Sequence, residues 1–409
     1  MRRASWACAA AALLSFAACG GCDAPPSQAL TACEGVSLLA EKTDILFVVD
    51  DSGSMEEEQA NLAANFHAFI EQLTALPVKN AYQIGVTTTS VENFGATPTD
   101  LFLAGMVPGS SPARPCPQGG KTYPKGALVA VDPASVATYP TDGVYVTNLP
   151  RVLSPASMST PDLVAAFQTN VLVGICGSGK EEGLAAARLA VTDRVSDGQN
   201  AGFLRSGARL VVIIVSDEDD CTETNVPRQA TDNDLCHDPA VKANALEPVQ
   251  DFVDFLQTAT IGGEQRKALV AVIAGVDPVT KAADLTNCPT AFDKADRYHA
   301  FVAGFGGDGL IDSICNASFA STLQQIATLI GQEVPLSETP ADWRLLTVSV
   351  VKPDGTRVPC TLSEAGNDAG VADVVYAPPT STRPPTLTFG GACGLQAGDQ
   401  VDVKVLCAG

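Results

Sequence analysis

Basic residues and histidines are scarce in this chain of 409 residues. Its 25 Lys and Arg stand against 46 Asp and Glu, for a formal charge of −21 at pH 7, and it has three histidines. So acidic a surface repels phosphate backbones and anionic lipid, which argues against nucleic acid and anionic membranes as partners. His67, His237 and His299 lack neighbours of metal-ligand or triad type, and no two CxxC pairs face each other, so a zinc cluster is not expected. After the N-terminus no run of 18 apolar residues occurs, and nothing later in the chain reads as a membrane span. The sequence has no internal repeat.

The N-terminus itself reads as a targeting segment. Arg2-Arg3 precedes an apolar stretch, Trp6–Ala18, that is too short to cross a bilayer, and Ala17-Ala18 precede Cys19. Small residues before a cysteine resemble the lipobox of bacterial lipoproteins. The resemblance implies that residues 1–18 are a signal peptide, that Cys19 is acylated, and that lipid alone attaches the protein to a membrane. Gly20 is not the Asp that marks inner-membrane retention, so an outer-membrane lipoprotein facing the periplasm or cell surface is expected, with plain secretion as the alternative. Losing Arg2 and Arg3 and no acid would take the charge from −21 to −23. Of the 13 cysteines, those beyond Cys8 and Cys19 are scattered singly and read as disulfides of an exported chain. Their odd number leaves one unpaired, for which Cys22 is the candidate. Loop positions suggest Cys116 with Cys176 and Cys221 with Cys236, while Cys360, Cys393 and Cys407 hold the C-terminal part.

Residues 19–40 are rich in Pro, Ser, Ala and Gly and read as a tether. From there to residue 334 strand-like and helix-like stretches alternate. Buried strands are expected at Ile45–Val49, Tyr82–Thr89, Arg209–Ser216 and Ala268–Gly275. Helices are expected at Glu56–Leu76, Thr160–Leu172, Leu184–Val191, Pro248–Thr258 and Ser318–Gly331. This is the pattern of an α/β domain, 41–334, with a doubly wound and mostly parallel sheet. Residues 91–145, dominated by Gly, Pro, Ser and Thr, read as a long surface insertion followed by a short edge strand, Tyr145–Leu153. Residues 335–409 change to short strands at Leu345–Val351, Ala372–Tyr376, Thr386–Phe389 and Gln400–Leu406, with Pro353-Asp354-Gly355 as a hairpin turn. They read as a small disulfide-bonded β domain.

The chemistry concentrates at Asp44–Met55, DILFVVDDSGSM. A buried strand ends in one tight turn from which Asp50, Ser52 and Ser54 project, at the strand end where open α/β sheets keep their ligands. Hydroxyls and a carboxylate at alternate positions can begin the six-oxygen shell of a hard cation such as Mg2+. A bland reading also exists, in which Ser54 and Glu57 form a capping box. Enzyme readings have no support. The His-Gly and Gly-Thr-Ser turns of subtilisin-like proteases are missing, Asp50-Asp51-Ser52 fails the DxDx[TV] of aspartyl phosphatases, and Gly179-Lys180-Glu181 fails the end of a P-loop. The chain is not expected to be an enzyme.

DxSGS after a buried first strand in an alternating α/β chain resembles the von Willebrand factor type A domain, where this turn opens the metal-ion-dependent adhesion site. The resemblance implies two more loops. One offers a hydroxyl, usually Thr, five residues before a helix-opening glycine; Ser178 before Gly183 matches, without the Thr methyl. The other offers an Asp after the next buried strand, and Asp217 stands there. The 91–145 insertion accounts for an unusually long separation of Asp50 from Ser178. Carried over, Ser52 and Ser54 would bind Mg2+ or Mn2+ through their hydroxyls, Ser178 directly or through water, and Asp50 and Asp217 would hold the ion's waters. The open position would accept an acidic side chain of a protein ligand. Asp51 and Lys180 flank the site and would tune it. Asp217–Asp220 with Glu223, Asp232, Asp234 and Asp238 read as a solvated acidic loop or a second, Ca2+, site. The competing class is a structural or assembly scaffold of the cell envelope whose metal site is unused.

Overall fold

A computed structural model describes residues 30–33, 36–91, 124–134, 145–224, 245–366 and 372–408. The expected signal peptide, Cys19, Cys22, Cys116, Cys236, Asp232, Asp234 and Asp238 lie outside these residues, as does most of 91–145. Among the described residues no helix is long and apolar enough to cross a membrane.

Three uninterrupted apolar runs fix the centre. β2 (Glu41–Val49), β4 (Arg209–Val215) and β5 (Ala268–Ala274) are buried almost throughout, as strands covered on both faces must be. With β3 (Asn80–Thr88) and β6 (Gly309–Ser313) they form a five-stranded sheet in the order β3-β2-β4-β5-β6, parallel at every junction. Alternate residues of β2 point to opposite faces. Ile45, Phe47 and Val49 pack with α1 (Glu56–Ala75), α2 (Thr160–Asn170) and α6 (Ala320–Ile330), whereas Leu46 and Val48 pack with α3 (Gly183–Val191), α4 (Val249–Thr258) and α5 (Asp296–Ala303). The sheet is therefore doubly wound. Because the chain leaves β2 to one side for β3 and returns on the other side as β4, its switch point lies at the carboxyl ends of β2 and β4.

Two stretches differ from expectation. Residues 127–131, inside the expected surface insertion, are buried, and the Val129 amide donates to the Val86 carbonyl at 2.8 Å. The apolar run Ala127-Leu-Val-Ala-Val131 is better covered against β3 than left in water. The expected edge strand 145–153 is reduced to two antiparallel bridges, Val131 with Tyr145 and Ile84 with Leu153.

The C-terminal part builds two four-stranded sheets around one core. β1 (Leu30–Cys33), β13 (Gln400–Ala408), β8 (Leu346–Val351) and β9 (Arg357–Pro359) form the first. β10 (Leu362–Glu364), β11 (Val374–Ala377), β12 (Thr386–Phe389) and β7 (Glu333–Pro335) form the second, antiparallel except for the pair β10–β11. The stretch read as a tether thus contributes β1, an edge strand paired with β13. The turn at Pro353-Asp354-Gly355 connects β8 to β9, with Gly355 at φ +86°. Cys360 is bonded to Cys393. Where this unit meets the amino ends of the central strands, Arg383 pairs with Glu41 and Glu333, and Lys267 with Glu333. It therefore attaches at the end of the sheet opposite Asp50 and Asp217.

Candidate metal centre

The site begins with strand pairing. β2 and β4 run side by side until the Asp50 amide donates to the Val215 carbonyl at 2.9 Å, which brings the two strand-end acids, Asp50 and Asp217, together at the switch point. Asp50 is wholly buried and locked: Oδ1 accepts from the Ser52 amide at 2.8 Å and Oδ2 from Ser216 Oγ at 2.6 Å. Ser52 Oγ lies 3.3 Å from Ser54 Oγ, and Ser54 Oγ donates to Asp217 Oδ1 at 3.0 Å. The other oxygen of Asp217, Oδ2, is buried with no hydrogen-bond partner.

That arrangement corrects the capping-box reading. The residue preceding α1 is Met55, with no side-chain cap, because the Ser54 hydroxyl is committed across 163 positions to Asp217.

Two further loops close in. Gln59, buried on the first turns of α1, donates to the carbonyls of Asp50 (2.8 Å) and Gly174 (2.7 Å) and accepts from the Gly174 amide. It pins the Ser178 loop to the Asp50 turn. Ser90, at the carboxyl end of β3, donates to Asp51 Oδ1 at 2.7 Å and accepts from the Ser178 amide at 2.8 Å. The Gly177 amide donates to the Asp51 carbonyl at 2.6 Å, and a Cβ on Gly177 would overlap the Asp51 carboxyl group. Ser178 is thereby placed beside the turn, but its hydroxyl accepts from the Lys180 amide at 3.1 Å. The other four expected ligands form one connected set: Asp50 holds the Ser52 amide, and Ser52, Ser54 and Asp217 are linked through their side-chain oxygens. Ser178 adjoins that set through backbone contacts. Asp51 organises the loops, and Lys180 pairs with Glu223.

Two further acids complete the electrostatics. Glu218 follows Asp217, and Glu181 is fully buried beside Glu218. Burial and then the charges of Asp217 and Glu218 push Asp50 well above the usual carboxylate range. Burial, followed by Glu218, lifts Asp217 to about 7, and burial with Glu218 and Asp50 raises Glu181 well up. Buried carboxylates in this state are held by protons or by a cation. Two hydroxyls and one carboxylate oxygen in contact, with an unpartnered carboxylate oxygen beside them, form a donor set that fits Mg2+ or Mn2+. No three His, Cys, Asp or Glu side chains converge as a metal-ligand group among the described residues, so such a site depends on its hydroxyls.

The expected acidic loop divides. Asp219 accepts from the Arg297 and Tyr298 amides at the start of α5. Asp220 accepts from the Leu184 amide at the start of α3 and pairs with Arg297 at 2.9 Å. These acids hold helix N-termini, where a carboxylate is favoured. Cys288 is bonded to Cys315, and Cys176 and Cys221 are also half-cystines.

No protein-family model matches the chain, and no curated protein matches it. Among solved structures, proximal thread matrix protein 1 from the mussel byssus is similar at 12% identity and TM-score 0.33, over 81% of this chain and 53% of that one. The pilus adhesin SpaC from Lactobacillus rhamnosus GG, in its open conformation, is similar at 11% identity and TM-score 0.38, over 90% of this chain and 39% of that one. The human COPII-coat protein Sec24c is similar at 8% identity and TM-score 0.33, over 90% and 39%. The chain spans about half or less of the length of these structures. At these scores the likenesses carry no argument about fold family or function.

Proposed function

We propose that this is a type A domain protein of the von Willebrand factor kind that binds a protein ligand through a divalent cation, and that its N-terminal lipid at Cys19 anchors it in the cell envelope. The observation that carries the reading is the chain of oxygens Ser52–Ser54–Asp217 at the sheet's switch point, ending in the buried, unpartnered Asp217 Oδ2. Ser52, Ser54 and Asp217 would hold the ion, with Asp50 orienting the turn through the Ser52 amide and Ser216. When bound, Mg2+ or Mn2+ supplies an electrophilic position for a carboxylate of the partner. Ser54 is exposed, so the site opens to solvent on that side.

The open position is tested by water-proton relaxation of the Mn2+-loaded chain. Enhancement that falls when glutarate is added supports an exchangeable coordination position, and enhancement that glutarate leaves unchanged counts against it. One observation favours a second reading, a scaffold with an unused site: the Ser178 hydroxyl is engaged with the Lys180 amide. A folded wild-type chain that binds no Mn2+ selects that reading.

A further inference from the structure

A cavity of about 690 Å3 opens between α6 and the C-terminal β unit. No charged side chain lines it, although the chain carries 46 acids and 25 bases. Glutamines dominate the lining, with Ser321 and Thr328 beside them and Leu310 and Leu329 as half-buried apolar surface. Gly309 and Leu310 are the first residues of β6, so the groove lies toward the amino ends of the strands, away from Asp50 and Asp217.

Its walls are fixed by two of the glutamines. Gln332 Nε2 donates to the Thr328 carbonyl at 2.8 Å and the Leu395 carbonyl at 3.0 Å, and its Oε1 accepts from the Leu395 amide at 2.7 Å, which ties α6 to the β unit. Gln72 donates to Thr328 Oγ1 at 2.9 Å. Gln324 on α6 and Gln396 on the β unit are different. Both are exposed, and among the described residues each is hydrogen-bonded through its backbone alone, so two carboxamides at the groove are uncommitted. The open space is built in as well. Gly307 and Gly390 line the groove, and neither backbone nor packing requires glycine there. Gly307 is outside the left-handed region and an added Cβ would meet nothing within 4 Å; Gly390 is extended at φ −165°, and an added Cβ would come no nearer than 4.0 Å to the Asp373 carbonyl. What their missing side chains preserve is room in the groove.

We propose that this groove binds a short uncharged oligosaccharide, whose hydroxyls are bonded from opposite walls by Gln324 and Gln396. A carboxamide offers two donors and an acceptor in one plane, which matches adjacent hydroxyls on a sugar ring. A cationic ligand would find no acid in the lining, and an anionic one would find no base and the repulsion of a chain charge of −21. A peptide strand is disfavoured because β6 reaches the groove with Gly309 and Leu310 alone, too short a row of backbone groups for strand addition. The volume lies within the range of small-ligand sites. This site is separate from the proposed cation site and needs no metal.

The test is saturation-transfer difference NMR of the full chain with maltotriose, cellotriose, mannotriose and triacetylchitotriose, and with trigalacturonic acid as the anionic control, each in Mg2+ and in EDTA. At least one neutral trisaccharide should receive saturation, equally in both conditions, and trigalacturonic acid should receive none. The apparent Kd of that trisaccharide should rise about tenfold in the double variant Gln324→Ala, Gln396→Ala, which removes the hydrogen bonds, and in Gly307→Leu, which fills the space. Both sets of changes are at exposed positions, so thermal unfolding should give the wild-type Tm. Saturation of no neutral trisaccharide, equal saturation of trigalacturonic acid, or wild-type affinity in both variants would each overturn the proposal. Binding that disappears in EDTA would also overturn it, because the sugar would then be held at the metal end of the sheet.

Discussion

Replacing Asp217 by Asn should stabilise the metal-free protein while abolishing its response to Mg2+. Asp217 titrates near 7 in the fold against 3.8 for an ordinary Asp, with burial the main cause and Glu218 the second. A carboxyl raised in the fold keeps its proton longer than the unfolded chain does. Its contribution is therefore fully present below about pH 3.8 and is lost as pH rises through about 7. A rise of this size corresponds to a loss on the order of 4 kcal/mol by pH 8, an upper value because Asp217 is electrostatically coupled to its acidic neighbours. For a unit this large that is a fall of roughly 4–8 °C in Tm. Thermal unfolding in EDTA between pH 5 and 8 should show wild type losing Tm steadily, while Asp217→Asn loses less and is the more stable protein at pH 8. Glu181 and Glu41, which is raised to about 7 by burial and by Glu333, add slope of the same sign to both proteins, whereas Asp50 is raised in part by the Asp217 charge, so the difference reads Asp217 together with its coupling to Asp50. Saturating Mg2+ at about 100 times its Kd should restore roughly 2.7 kcal/mol to wild type at pH 8 and nothing to the variant. Equal pH slopes in the two proteins would refute the reasoning, because Asp217 would then carry no buried charge.

Other perturbations separate the supports of the site from its ligands. Gly177→Ala places a methyl 2.5 Å from the Asp51 carbonyl oxygen, so it should cost about 1–3 kcal/mol in urea unfolding and weaken Mg2+ binding in calorimetry. Gln59→Leu removes the clamp between the Asp50 and Gly174 carbonyls and leaves both buried, with a loss of about 2 kcal/mol in urea and a weaker Mg2+ titration. Arg383→Met leaves Glu41 facing Glu333 with one cation fewer, and should destabilise by about 3 kcal/mol without moving Mg2+ affinity, because it lies at the far end of the sheet. Joint replacement of Cys288 and Cys315 by Ser opens a loop with a sequence separation of 27 and should cost about 3 kcal/mol in urea unfolding.

The central sheet was legible because its strands are covered on both faces, which leaves unbroken apolar runs such as Leu210–Val215 and Ala268–Ala274. Strand β6 was not, since Gly-Leu-Ile-Asp-Ser lies at the sheet's edge and carries a mixed pattern. Helix α5 was missed because Asp-Arg-Tyr-His shows little apolar period, and its buried Tyr298 fits only because Gly183 has no side chain. The three-residue strands β7 and β9 each contain proline, which reads locally as a breaker. At the site, Asp50, Ser52, Ser54 and Asp217 could be picked out because strand ends mark the switch point. Ser54 still supported a wrong local reading, since a capping box spans three residues and its real partner lies on another loop. Gln59, Ser90 and Glu181 left no signal, because each acts through contacts that form only when loops distant in sequence meet.

Calorimetric titration of Mg2+ and Mn2+ into the full chain at pH 8, beside Asp50→Ala and Ser52→Ala, tests the central claim most directly. The account predicts one saturable site in wild type that is lost in both variants while thermal unfolding shows each still folded. A folded wild type that binds neither ion, or variants that bind as well as wild type, would contradict it.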